Sequence, residues 1–118
     1  MASTVEGTIR LVRLSANGQI EDFPEVRNDA RALHDLLDGY LEPFALPAQL
    51  NARNLIGLAD EDGQRKELPY NPFSPLLGQT IVGPALIVRS KVPEFVSLTD
   101  QDIEVLGDWF GRLLVLPL

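Results

Sequence analysis

Residues Asn54 to Arg89, NLIGLADEDGQRKELPYNPFSPLLGQTIVGPALIVR, contain two apolar runs around which the rest of the chain is arranged. The run from Leu55 to Ala59 predicts a buried strand, in which Gly57 marks a bulge or the close approach of another backbone. The run from Thr80 to Val88 is the most apolar in the chain and predicts a strand covered on both faces. Because Gly83-Pro84 lies in its middle, we expect a bulge or a local edge there.

A polar and proline-rich connection joins these two predicted strands. Asp60-Glu61-Asp62-Gly63 has the composition of a turn. Pro69, Pro72 and Pro75 favour extended and turn backbone, with one helical turn around Phe73 to Leu77. The segment therefore predicts a rigid connection.

The start of the chain predicts a β-hairpin. Thr8 to Leu14 mixes β-branched and apolar residues, and Asn17-Gly18 after it tolerates the positive φ angles of a tight turn. Gln19 to Val26 is the expected second strand. Pro24 cannot donate a hydrogen bond to a neighbouring strand, so we expect it at an edge or near the strand's end.

Two amphipathic segments predict helices. The first runs from about 29 to 38 behind an Asn28 or Asp29 cap, with Gly39 in the left-handed position that closes it. The second starts at a Thr99 cap and has acids in its first turn, where the helix dipole favours them. The apolar face of this second helix consists of Ile103, Leu106, Trp109 and Phe110.

The order of these elements predicts an α+β domain. Residues 40 to 50 add a short strand that ends at Pro47. We expect a mostly antiparallel sheet of about five strands with two helices packed on it. At 118 residues the chain fits one domain, with its core between residues 8 and 110 and an apolar tail at 113 to 118.

Charge and composition argue against several classes of function. Seventeen acids against ten bases give a formal net charge of -7, which repels phosphate backbones and anionic membranes, so we expect no direct nucleic-acid binding. The chain has no Cys, which excludes disulfides and thiolate metal sites. The sequence has no basic start followed by an apolar run and no apolar run long enough to span a bilayer, so we expect a cytoplasmic protein.

No motif supports catalysis or a bound cofactor. His34 lies beside the apolar stripe of the first helix, with Asp38 four residues on as an ordinary surface partner. In a calcium-binding loop that starts at Asp60, Arg65 would replace the required glycine and Asn71 the bidentate glutamate. The glycine spacing matches no phosphate-binding loop. We therefore predict a protein without enzymatic activity, cofactor or metal.

The polar connection offers one candidate ligand site. Tyr70 and Asn71 place an aromatic face and a side-chain amide between two prolines, and Asp60 with Asp62 adds carboxylate oxygens nearby in sequence. A nucleotide or metabolite is the ligand that such a site predicts. The commoner role of an Asn in this setting is to hydrogen-bond nearby backbone and fix a turn, and we favour that role here.

The outer faces of both predicted helices are acidic. Their acids are Asp29, Asp35 and Asp38 in the first helix and Asp100, Asp102, Glu104 and Asp108 in the second. Acidic faces are complementary to a basic protein surface. The leading hypothesis is a non-enzymatic interaction protein with a basic protein partner, and a small-ligand binder is the alternative.

The last six residues, LLVLPL, carry no charge. Because an apolar tail is hard to leave in water, we expect it to dock on the core or on a second subunit. For the second case we predict a homodimer formed through Val115 to Leu118.

Four short elements recur in a known pattern: Asp60-Glu61-Asp62-Gly63, Leu68-Pro69-Tyr70-Asn71, Gly78-Gln79-Thr80-Ile81-Val82-Gly83 and Leu98-Thr99-Asp100. Over about residues 8 to 110 the chain resembles a family of short, uncharacterised bacterial and bacteriophage proteins, a domain of unknown function. Pro84 and the apolar tail beyond Trp109 depart from the family pattern. The resemblance implies an accessory-gene or phage-like setting, in which the basic partner is a host nucleic-acid-binding or defence protein, and it implies no activity.

Overall fold

The computed structural model describes residues 7–111 and 113–115, which form an α+β fold as predicted. Its strands are β1 (Thr8–Leu14), β2 (Ile20–Arg27), β3 (Leu41–Ala45), β4 (Leu55–Asp60), β5 (Ala85–Lys91), β6 (Glu94–Val96) and β7 (Leu113–Val115). Its helices are α1 (Ala30–Leu37), α2 (Ala48–Asn51), α3 (Ser74–Leu77) and α4 (Asp100–Phe110). The predicted sheet of about five strands lacked β6 and β7, which are too short to show a periodic pattern, and the prediction also missed α2.

One sheet contains all the described strands. Their order is β3-β4-β5-β1-β2-β7, and β6 pairs with β5 beside this path. Each pair is antiparallel except β2 with β7, which is parallel. The sheet is therefore mostly antiparallel, as predicted.

Strand β5 is the buried centre of the sheet. Its residues Ala85 to Val88 are fully shielded from solvent, between β4 on one side and β1 on the other. Gly83-Pro84 comes directly before the strand, so the preceding apolar residues lie outside it, apart from an isolated bridge between Tyr70 and Val82. The predicted burial is confirmed, but the glycine and proline mark the start of the strand and not a bulge within it.

The hairpin of β1 and β2 contains a bulge. The register between the two strands shifts between Ile9 and Leu11, so that Arg10 faces two residues of β2, one of which is Pro24. The extra residue of a bulge is not paired in the hydrogen-bond ladder, so a proline there, which has no N–H, does not remove a strand-pairing hydrogen bond. Within the described residues, β7 pairs with β2 only as far as Asp22, so there Pro24 lies at an edge, as predicted.

Helices cover both faces of the sheet. Leu33 and Leu37 of α1 pack on one face, whereas Leu50 of α2, Leu77 of α3 and Leu106 of α4 pack on the other. Successive residues of a strand point to opposite faces, so Leu86 and Ile87 of β5 contribute to different clusters. The two longer helices, α1 and α4, therefore lie on opposite sides of the sheet.

Two glycines are required by close approach. Gly57 faces Phe44 in an unbroken register between β3 and β4, and any side chain at Gly57 would overlap the ring of Phe44. The predicted bulge at Gly57 is therefore absent, and an aromatic ring occupies the space over it. Helix α1 ends with Asp38, not Gly39, in the left-handed conformation, at φ 57°. Gly39 is needed instead because the carboxylate of Asp60 lies where its Cβ would be.

The described part of the C-terminal tail docks on the chain's own sheet. Strand β7 pairs with Ile20–Asp22 of β2. Residues 116–118, which belong to the predicted dimer segment Val115 to Leu118, lie outside the described residues. The homodimer stays a prediction.

Candidate functional site

Asp60, the first of the predicted ligand residues, is used to close a turn. Its side chain is buried at the end of β4, where Oδ2 lies 2.7 Å from Nζ of Lys66 and Oδ1 accepts a hydrogen bond from Asp62 N–H at 2.9 Å. Lys66 also donates to the carbonyl of Asp38 at the end of α1, at 3.0 Å. Through Lys66, the Asp60 carboxylate therefore connects the acidic turn to the end of α1.

These contacts keep Asp60 ionised. Burial, the largest single influence, raises the pKa of Asp60, but the hydrogen bond from Lys66 and the N–H of Asp62 together outweigh it and leave that pKa below its usual value. Asp62 itself pairs with Arg65 at 3.2 Å and is partly exposed. None of these contacts of Asp60 and Asp62 involves Tyr70 or Asn71.

Asn71 holds the proline-rich connection against β1. Its Nδ2 donates to the carbonyls of Leu14 at 3.0 Å and Gly83 at 2.9 Å, and its Oδ1 accepts from Phe73 N–H at 2.9 Å. The side chain is buried, with 2% of the residue exposed, whereas Tyr70 beside it is 73% exposed. Asn71 therefore has the turn-fixing role that its sequence setting favoured, and it does not form one site with Tyr70.

The predicted acidic faces belong to separate surfaces, because α1 and α4 lie on opposite sides of the sheet. On α1, Asp29 caps the helix by accepting from Ala32 N–H and also pairs with Arg27 at 3.1 Å. Asp35 lies 3.7 Å from Nδ1 of His34. The predicted partner of His34 was Asp38, which is three residues further along the helix than Asp35. That predicted pairing was wrong.

Asp102 is not on an outer acidic face. It is fully buried and accepts hydrogen bonds from Arg53 at 3.0 Å and Arg89 at 3.0 Å. It also accepts from the N–H of Thr99, whose hydroxyl accepts in return from the N–H of Asp102, and this reciprocal pair is the capping box of α4. The prediction that Asp102 contacts a partner is corrected: it joins α4 to β5 and to the residues before β4.

The surroundings of Asp102 favour its charged form. Burial is the largest influence and raises the pKa of Asp102, but the Thr99 N–H and the two guanidinium groups outweigh it, so the pKa lies below its ordinary value. The negative charge is thereby maintained inside the protein at neutral pH.

We expect the stability of the protein to fall as the pH drops below about 4, the ordinary pKa of an Asp in an unfolded chain. A carboxyl group with a lowered folded-state pKa contributes stability that is complete above the unfolded value and is lost as the pH falls through the folded value. Asp102 and Asp60 both belong to this class. Urea unfolding at a series of pH values measures the loss, and Asp102→Asn should show a smaller one. Equal losses in the two proteins would mean that Asp102 does not contribute.

Acids on the outer side of α4 remain exposed. Asp100, Glu104 and Asp108 follow one another at four-residue spacing and therefore lie on one side of the helix. Asp100 accepts from Arg10 at 2.7 Å, and within the described residues no ion pair involves Glu104 or Asp108.

Within the described residues, five bases are directed at buried acids, an arrangement that the sequence totals did not indicate. Arg10 pairs with Asp22 at 2.6 Å, Arg13 with Glu21 at 2.7 Å, Lys66 with Asp60 at 2.7 Å, and Arg53 and Arg89 with Asp102 at 3.0 Å each. With these nine side chains set aside, thirteen of seventeen acids and five of ten bases remain for the rest of the chain. For two of these bases, Arg10 and Arg13, the sequence contained a usable pattern, because both lie among the apolar residues of TIRLVRL.

A cleft of about 340 Å³ opens beside β3 and β4. Its rim includes Glu42 and Glu61, which were not predicted as site residues, and of the predicted ligand residues Asp60 borders it whereas Tyr70 and Asn71 do not. In the sequence, Glu42 is a charged residue among the apolar residues of a predicted strand, and this pattern could have identified it as a site residue.

No helix in the described part of the chain is both long and apolar enough to cross a membrane. In the same residues, no group of three or more His, Asp or Glu side chains is placed to hold a metal ion. No protein-family model matches the chain, and neither a curated protein nor a solved structure matches it.

Proposed function

We propose that this protein is a non-enzymatic interaction protein that binds a basic surface of another protein through the exposed acids of α4. The observation that carries this proposal is the excess of acids outside the buried ion pairs: with five bases held on four buried acids, thirteen acids and five bases remain for the rest of the chain. An acidic surface of this kind attracts a basic partner and speeds its association.

The choice of α4 over α1 depends on local compensation. The acids of α1 lie close to arginines, since Asp29 pairs with Arg27 and Arg31 is exposed on the same helix. On α4 the exposed acids Glu104 and Asp108 have no such neighbour among the described ion pairs. A single partner surface cannot contact both helices, because the sheet lies between them.

The resemblance to short bacterial and bacteriophage proteins supports a proposed identity for the partner class. In that setting the partner is a basic, nucleic-acid-binding or defence protein of the bacterial host, and the interaction takes place in the cytoplasm. A homodimer through Val115 to Leu118 is a separate part of this proposal.

A pair of charge-matched variants tests the proposal. Glu104→Gln/Asp108→Gln removes two exposed acids from α4, whereas Glu25→Gln/Glu94→Gln removes two exposed acids from β2 and β6. Each protein is immobilised and used to capture host proteins at low and high salt. We expect the first variant to bind a captured basic partner about tenfold more weakly and the second to bind it like the wild type, with high salt weakening all binding.

Three results would contradict this function: no capture by the wild type, capture that is indifferent to salt, or an equal loss in both variants. Equal loss would mean that net charge, and not the α4 surface, attracts the partner.

The alternative function, binding of a nucleotide or metabolite at Asp60, Asp62, Tyr70 and Asn71, has weaker support from the geometry. Asp60 and Asn71 are already engaged by Lys66 and by backbone groups, respectively. Asp62 and Tyr70 are the members of this set with solvent-exposed surface. A broad ligand screen by thermal shift on the wild type and on Tyr70→Ala is the suitable test.

A further inference from the structure

We propose that Asn17 is a site of spontaneous deamidation, a covalent modification in which water converts its side-chain amide to a carboxylate and ammonia is released. The site lies in the turn between β1 and β2 and does not involve the acids of α4, so it goes beyond the proposed protein interaction. It is inferred from the exposure of this turn, from the absence of a side chain at Gly18 and from the hydrogen bond that Ser15 makes to the reacting amide.

The turn presents both reacting groups to solvent. Asn17 and Gly18 are exposed, after β1 ends at Leu14 and before β2 begins at Ile20. Apart from the chain neighbours of Gly18, the space that a Cβ there would occupy meets only the ring of Pro72 within the described residues, at 3.9 Å. Because glycine has no Cβ, its backbone nitrogen is not shielded. The nitrogen of Gly18 is therefore accessible both to solvent and to the side chain of Asn17.

Ser15 supplies a hydrogen-bond donor to the amide that reacts. Its hydroxyl donates to Oδ1 of Asn17. Attack on an amide places negative charge on this oxygen, and a donor that is already directed at it stabilises that charge. The oxygen of the same hydroxyl accepts from the N–H groups of Asn17 and Gln19 at 3.3 Å each, and these contacts hold it in place. Ser15 therefore favours the reaction.

One hydrogen bond of the turn opposes the reaction. The N–H of Gly18 donates to the carbonyl of Ser15 at 3.1 Å, and this contact must open before the nitrogen can react. At an exposed turn, water replaces the lost partner, so a single neutral hydrogen bond opens readily. The contact therefore slows the reaction without preventing it.

The reaction needs only water as a co-reactant. The N–H of Gly18 gives its proton to solvent, and the nitrogen forms a bond to Cγ of Asn17. The bond from Cγ to Nδ2 then breaks, and the leaving nitrogen takes up a proton and departs as ammonia. Water opens the resulting cyclic imide at either of its carbonyl carbons, which gives Asp or isoaspartate at residue 17. Each product carries one more negative charge than Asn.

The other asparagines provide a comparison within the same chain. They are Asn28, Asn51, Asn54 and Asn71. The first three precede residues with side chains, which shield the backbone nitrogen that would attack. Asn71 precedes Pro72, whose nitrogen has no hydrogen to release. Asn17 alone precedes a glycine, so we expect it to react fastest.

The test incubates the full chain in mildly alkaline buffer and follows each asparagine over time by peptide mass spectrometry. Asn17→Asp provides the reference for the Asp product, and isoaspartate is recognised by its separate elution at the same mass. We expect Asn17 to convert about tenfold faster than each of the other asparagines. Gly18→Ala should slow this conversion about tenfold because its methyl group shields the nitrogen, and Ser15→Ala should slow it about threefold because a donor is lost.

The proposal is overturned if residue 17 of the wild type converts no faster than the other asparagines, a comparison that does not depend on how any variant folds. It is also overturned if Gly18→Ala converts at the wild-type rate. A rate in Ser15→Ala that equals or exceeds the wild-type rate overturns the role of Ser15. Thermal unfolding verifies that each variant is folded, as expected for substitutions in this turn.

Discussion

Asp102→Asn should lower the free energy of unfolding by about 3 kcal/mol, because it leaves two guanidinium groups beside a neutral amide in a buried position. The substitution keeps the size of the side chain and removes its charge. The fully buried carboxylate accepts from Arg53, from Arg89 and from the N–H of Thr99. An Asn can replace some of these acceptors, but its own N–H groups would face donors.

Urea unfolding of Asp102→Asn and Asp108→Asn makes the comparison on one helix. Asp108 is exposed and has no ion pair among the described residues, so its substitution should change the free energy of unfolding by no more than about 0.5 kcal/mol. If the two variants were equally stable, Asp102 would not hold α4 to the sheet as its contacts indicate.

Asn71→Ala should also destabilise the protein by about 3 kcal/mol, since it leaves buried backbone groups without a partner. The amide of Asn71 satisfies two carbonyls and one N–H, and these belong to β1, to the residue before Pro84 and to the start of α3. Asn51→Ala, at an exposed position of α2, is the matched control and should stay within about 0.5 kcal/mol of the wild type. A stable Asn71→Ala protein would show that these hydrogen bonds contribute little.

This expectation changes how the small-ligand alternative can be tested. If Asn71 acted only as a ligand residue, as the small-ligand alternative assumes, Asn71→Ala would stay folded and lose only ligand binding. In the structure Asn71 is part of the fold, so a lost thermal shift in that variant would report unfolding as readily as lost binding. Tyr70→Ala is the better variant, because Tyr70 is 73% exposed and its loss leaves the core unchanged.

The position of the two acidic helices decides how a partner can bind. From the sequence, the acids of both helices form one partner-binding set. In the structure the sheet separates α1 from α4, and Asp102 is inside the protein. The proposed interface is consequently a single helix face, with Glu104 and Asp108 as its uncompensated charges.

Local patterns were sufficient for most of the elements. The β1–β2 hairpin, the caps at Asp29 and Thr99 and the burial of β5 depend on residues that are close in sequence, so composition and spacing predicted them. The prediction was wrong at Gly39 and Gly57, whose spatial neighbours Asp60 and Phe44 come from other elements. A glycine in a sequence can indicate that there is no room for a side chain at that position. It does not indicate which neighbouring residue occupies the space.

By itself, the sequence determined an α+β domain with an acidic net charge, because periodicity and charge are properties of the chain alone. Only the tertiary structure decided which charges are exposed. Asp102 lies 49 residues from Arg53 and 13 from Arg89 in sequence, and Arg10 lies 12 from Asp22, so these pairs exist only once the strands and helices are assembled. In the connection between the two apolar runs, for which the sequence left a ligand site open beside the favoured turn-fixing role, the buried side chain of Asn71 holds the backbone against β1. A cleft that the sequence did not predict forms beside β3 and β4.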